Sequence, residues 1–157
     1  MIILRIVQTN RRHQLWNDIW SLKVPHKVKH FLWRATNEAL PTLHNLWRRK
    51  VVKSAMCPSC NCAPKCVIHT LWQCHCVIVI WEDNEIIMKL LRRNSSSFAG
   101  LLEMVFSLNL DIDIDLLAMI FWLIWNKRNL DNHGDSSVEL HQIWSKARAL
   151  IQDFIST

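Results

Sequence analysis

Apolar positions along this chain recur at intervals of three and four residues, the spacing of a helix's buried face rather than the alternation of a half-buried strand. Trp16 and Trp20 share one such face, with Ile19 beside them. Val28, Phe31, Leu32 and Ala35 form the next stripe, behind Pro25, whose fixed φ suits the first turn of a helix. Pro41 opens a further helix with Leu43, Leu46 and Trp47 inward, and after an extended Val51-Val52 the pattern turns helical again from Val67, with Ile68, Leu71 and Trp72 packing and Trp81 at the end. Ile86–Leu91 and Phe98–Leu108 read as short helices separated by the polar Asn94–Ser97. Leu116 to about Leu130 is apolar on nearly all sides until Asn126, with Asp115 as its N-cap and Asn132-His133-Gly134 as its stop. Ser137 then caps a last helix carrying Leu140, Ile143, Trp144, Ala147, Leu150, Ile151 and Phe154 on one stripe.

The expected fold is therefore mainly α: a small helical domain followed by a C-terminal helical hairpin. Only two glycines and four prolines occur in 157 residues, which disfavours a sandwich built on tight turns. Residues 1–15 read as a frayed N-terminus or short strand, 16–93 as the main domain, 94–97 as a linker and 98–157 as a helical appendage.

The chemistry concentrates between Cys57 and Cys76, which holds all six cysteines. Cys57, Cys60, His69 and Cys74 form a C-x2-C-x8-H-x4-C spacing, in which a tight turn presents two sulfurs and a following helix presents a His and a Cys one turn apart. Four protein ligands leave no position for a substrate water, so the site reads as a structural Zn2+ knuckle of Cys3His type. Cys62, Cys66 and Cys76 lie outside this set, and Cys76 is an alternative to Cys74 with His75 between them. Disulfides are the competing use of six cysteines, but the opening MIIL has neither a charged leader nor a cleavage site. Asp111, Asp113 and Asp115 do not make a calcium loop, because Leu116 and Trp122 stand where its glycine and glutamate belong.

Charge divides the chain. Residues 1–56 carry eleven Lys and Arg against two acidic residues, a net +9, whereas 57–157 carry eight against eleven, a net −3. Lys23, Lys27, Lys29, Arg34, Arg48, Arg49 and Lys50 supply most of the first excess, and a polyanion is the partner such a half suits. Arg48–Lys50 also oppose the negative end of a helix dipole. The longest apolar run, Leu116–Trp125, is half of what a bilayer requires, so the expected setting is intracellular, nuclear or cytoplasmic, with no membrane partner.

Residues 16–81 carry a W-x3-W pair (Trp16, Trp20), the block Leu22–Ala35, then Ala39–Thr42, Asn45-Leu46, Arg48-Arg49, Cys57-Pro58-x-Cys60, His69-x4-Cys74 and Trp81. In this the chain resembles the zinc-binding domain of plant LINE-type (non-LTR) retrotransposon reverse transcriptases. The resemblance implies Zn2+ held by Cys57, Cys60, His69 and Cys74. It departs from the family at Asn61, where a small residue usually stands, at Lys65 and Cys66, which replace an acidic and a hydroxyl residue, and at His75, which replaces a proline. Trp122, Ile124, Trp125, Arg128 and Asn129 further resemble the segment that precedes an RNase H-like domain in the same retroelements.

The function expected from these features is a non-catalytic, zinc-stabilised module that engages RNA or DNA through its basic half. Polymerase, endonuclease and RNase H catalytic residues are not expected within this piece of a retroelement protein. The alternatives are a helical scaffold that meets a protein partner through 98–157, and a functionless retroelement remnant.

Overall fold

The computed structural model describes residues 1–132 and 140–157. Eight α-helices are seen among them: α1 (Ile2–Trp20), α2 (His26–Thr36), α3 (Leu43–Arg48), α4 (His75–Trp81), α5 (Glu85–Arg92), α6 (Phe98–Ser107), α7 (Ile114–Asn132) and α8 (Ile143–Ser156). A π-helical turn, His69–Gln73, precedes α4, and a 3-10 turn, Leu140–Gln142, precedes α8. The described residues form no sheet, only an isolated antiparallel bridge between Met56 and Pro64. The mainly helical class read from the sequence holds.

α7 is the axis. Leu117, Ala118, Met119, Ile120, Phe121, Leu123 and Ile124 are all buried, so the helix is enclosed on nearly every side, as its apolar sequence demands. α2, the π-turn and α8 pack against it. Phe121 meets the rings of Trp72, Trp81 and Phe98 at centroid distances of 6.1, 5.8 and 5.1 Å. Each of these four side chains is fully buried, worth roughly 4–6 kcal/mol of transfer free energy before the entropy of ordering is subtracted. Trp81 Nε1 donates to the Trp72 carbonyl at 3.3 Å, which satisfies a polar atom that burial would otherwise penalise. One apolar core thus takes residues from both sides of Asn94–Ser97.

Local signals explain most helix starts. Thr42 Oγ1 accepts from Asn45 N, Asn84 Oδ1 from Ile87 N and Ser97 Oγ from Gly100 N, each relieving an orphan amide at an N-terminus. Three expectations need correction. Residues 2–15 are helical, the first turns of α1, because Leu15 and Ile19 anchor a helix whose preceding turns remain exposed. The cap of α7 is Asp113, whose Oδ1 accepts from Leu116 N at 3.1 Å; Asp115 accepts instead from Lys23 N at 2.9 Å, tying the α1–α2 connection to α7. Trp47 does not point inward but stays 48% exposed. The expected stop at His133-Gly134 and cap at Ser137 lie outside the described residues.

Candidate metal centre

Two short pieces of backbone build the site. In the first, Cys57 N donates to the Ala63 carbonyl at 2.9 Å and Asn61 N to the Cys57 carbonyl at 2.8 Å, closing a loop around Cys57 and Cys60. That loop needs a residue in the left-handed region, and Asn61 takes it with φ 54°. Asparagine tolerates this conformation better than most residues with a Cβ, which accounts for its presence where a small residue is usual. Cys62 N donates to Cys60 Sγ at 3.4 Å.

The second piece is the π-turn. Cys74 N donates to the His69 carbonyl at 3.0 Å, a bond spanning five residues instead of four. The wider turn brings the His69 ring and the Cys74 sulfur to the same side. Their ligand atoms and those of Cys57 and Cys60 all lie within 4.8 Å of one another. Cys57 Sγ is 3.9 Å from Cys74 Sγ, and Cys60 Sγ is 3.4 Å from His69 Nε2.

These separations fit one tetrahedral zinc. Two thiolates bound at about 2.3 Å lie about 3.8 Å apart, and a thiolate and an imidazole nitrogen about 3.5 Å apart. The four residues would hold the ion as a purely structural cross-link. All six cysteines are free thiols in the structure. The spare ones are turned elsewhere: Cys62 Sγ donates to the Cys60 carbonyl at 3.1 Å, and Cys76 Sγ reaches the Ser59 carbonyl at 3.7 Å.

The site is electrically asymmetric. Burial opposes ionisation of Cys57, but the amides of Cys60 and Ser59, the His69 ring and the Arg128 charge outweigh it and bring its pKa to about 6. Burial and the charge on Cys57 push Cys74 up to about 11, against the Cys76 amide and Arg128. One thiolate of this pair therefore forms well before the other in the metal-free site.

The chain from residue 4 to residue 81 matches a family described as zinc-binding in reverse transcriptase. A protein of Arabidopsis thaliana that carries the name ribonuclease H protein is 33% identical over 66 residues, 42% of this chain but 11% of the relative. The chain thus spans about a tenth of that relative's length. No solved structure matches. The match supports a zinc-binding module of an accessory kind, and no described helix is long and apolar enough to cross a membrane.

The basic residues picked out in the sequence fall into two groups. Lys27 Nζ lies 4.7 Å from the Trp122 ring centroid, Lys29 Nζ donates to the Trp20 carbonyl at 3.0 Å, and Arg34 Nη2 donates to the Ala39 carbonyl at 3.3 Å. These three have structural employment, and Lys23 is held through its backbone amide to Asp115. Arg48, Arg49 and Lys50 are exposed at the end of α3, next to the exposed Trp47. Their backbone closes the helix: Val51 N donates to the Leu46 carbonyl at 2.9 Å and Lys50 N to the Trp47 carbonyl at 3.0 Å, with Lys50 left-handed at φ 61°.

Sequence reasoning from ligand spacing missed Arg128. It is 6% exposed, and its guanidinium donates to the Thr70 carbonyl at 3.2 Å, to Cys57 Sγ at 3.2 Å and to Ser59 Oγ at 3.3 Å. Its place in the Trp122–Asn129 motif was the available signal.

Proposed function

We propose that this chain is a zinc-stabilised, non-catalytic nucleic-acid-binding module of a LINE-type retrotransposon reverse transcriptase, with ligands Cys57, Cys60, His69 and Cys74. The supporting observation is the surface formed by Trp47, Arg48, Arg49 and Lys50: an exposed aromatic ring beside three exposed cations at one helix end. Such a surface suits a single strand, in which cations neutralise phosphates and an indole stacks on a base without reading its identity. Lys23, Lys27, Lys29 and Arg34 add to the positive field of the same half. The zinc knuckle begins just beyond this surface in the chain, and the Lys65 carbonyl accepts from His44 N at 3.2 Å, which ties α3 to the knuckle.

The scaffold reading draws less support, because the apolar α7 that would serve a partner is spent on the chain's own core.

Fluorescence anisotropy with labelled single-stranded RNA and DNA across a salt series tests the proposal. Affinity is expected to fall steeply with salt for both, and the triple substitution R48A/R49A/K50A is expected to flatten the log–log slope by about 2, at about 0.7 per phosphate contact. A slope near zero for the unaltered protein would remove the reading.

A further inference from the structure

We propose that Arg128 is a positioning residue of the metal centre, its guanidinium offsetting the charge of the cysteine ligands and joining their two segments from α7. The inference rests on the ligand assignment just proposed. It extends the centre well beyond residue 81, where the family match ends.

Three observations carry it. Arg128 is buried, and a buried guanidinium keeps its charge at any pH a protein meets, so it requires a compensating partner. Its acceptors include a cysteine sulfur, a hydroxyl and a carbonyl, and the groups beside it able to carry negative charge are the two ligand thiols Cys57 and Cys74. The acceptors also come from both halves of the knuckle: Cys57 and Ser59 from the first loop, Thr70 from the π-turn.

The charge balance gives the arrangement its reason. Three thiolates, a neutral imidazole and a divalent ion sum to one negative charge in a largely buried place. One guanidinium cancels it. An N–H donated to sulfur also draws electron density from the thiolate and fixes its direction, which is how outlying hydrogen bonds tune metal ligands generally. Burial excludes the competing use of Arg128 as a phosphate contact. Simple packing would not select donor contacts to both segments that carry the ligand set.

The test uses the full chain loaded with cobalt in place of zinc, because the thiolate-to-cobalt charge-transfer band reports directly on the sulfurs. Arg128→Met is expected to shift that band and to weaken zinc binding, measured by competition with a chromogenic chelator, by about 10–100-fold. Arg128→Lys should recover part of the affinity. Phe121→Leu, in the same helix and the same core, should lower the melting temperature and leave the band in place. An unmoved band with zinc affinity within about twofold of the parent in folded R128M overturns the proposal, as does an equal band shift in F121L. If R128M does not fold, R128K decides through the same band, since lysine keeps the charge but loses the two-pronged reach: a shift supports the proposal and an unmoved band overturns it. A separate failure marks the ligand assignment itself: Cys57→Ser taking up cobalt with an unchanged spectrum removes that assignment and this proposal together.

Discussion

Trp144 Nε1 donates to the backbone carbonyl of Ile80 at 2.7 Å, joining the last helix to the helix that follows the metal ligands. The two rings Trp81 and Trp144 also meet edge to face, with centroids 6.4 Å apart. Trp144→Phe keeps most of the apolar contact and removes the donor. It should cost about 1–2 kcal/mol, read as a lower urea midpoint in a single transition. Two separate transitions, with α8 lost first, would contradict the coupling.

Removing the ion should be far more damaging. Structural zinc in small knuckles contributes roughly 10–16 kcal/mol of apparent binding energy, comparable to a domain's whole stability. A strong chelator, or Cys57→Ser, is expected to unfold at least residues 50–81 and to shift tryptophan emission to the red, since Trp72 and Trp81 are fully buried beside the ligands. An unchanged spectrum after verified metal removal would contradict this.

The metal-free protein should have an unusual pH profile. Cys57 is held down at about 6 against an ordinary value of 9.0, so the unfolded chain binds more protons between those values and stability rises with pH across them. Cys74 is pushed up to about 11, so above 9 the folded chain binds more protons and stability falls. The contribution of this pair peaks near pH 9. Because the chelated protein is expected to be unfolded without help, the midpoint concentration of a stabilising osmolyte that refolds it, taken at several pH values and compared with that of Cys57→Ser, would reveal it, and loss of the low-pH limb in the variant is the expected result.

The exchanged roles of two aspartates are open to direct measurement. Asp113→Ala removes the N-cap of α7 and should cost about 1 kcal/mol. Asp115→Ala should instead free the Lys23 amide, seen as faster hydrogen exchange at that position with α7 intact. Equal effects of both substitutions on Lys23 exchange would refute the division.

Much of this was legible in the chain. Helix positions followed from apolar periodicity, and the four residues whose sulfur and nitrogen atoms gather within 4.8 Å were marked by their spacing, because both are local properties. What escaped was set by tertiary context. Asp113 and Asp115 are chemically equivalent as caps, and only the approach of Lys23 separates their duties. Trp47 has the right spacing for a core residue, yet α3 is too short to bury it. Arg128 meets Cys57 across 71 positions of sequence, a distance at which periodicity carries no information. That Cys74 and not Cys76 lies with Cys57, Cys60 and His69 depends on a π-turn that no propensity argument foresees.

That turn has a consequence for how such chains diverge. Each residue of an ordinary helix turns the chain by about 100°, so a deletion between His69 and Cys74 would swing the sulfur about a quarter to a third of a revolution away from its partners. An insertion or deletion in this interval should therefore abolish metal binding as fully as loss of a cysteine does. Copies that have lost the ion should be recognisable by broken spacing here even where every ligand letter survives.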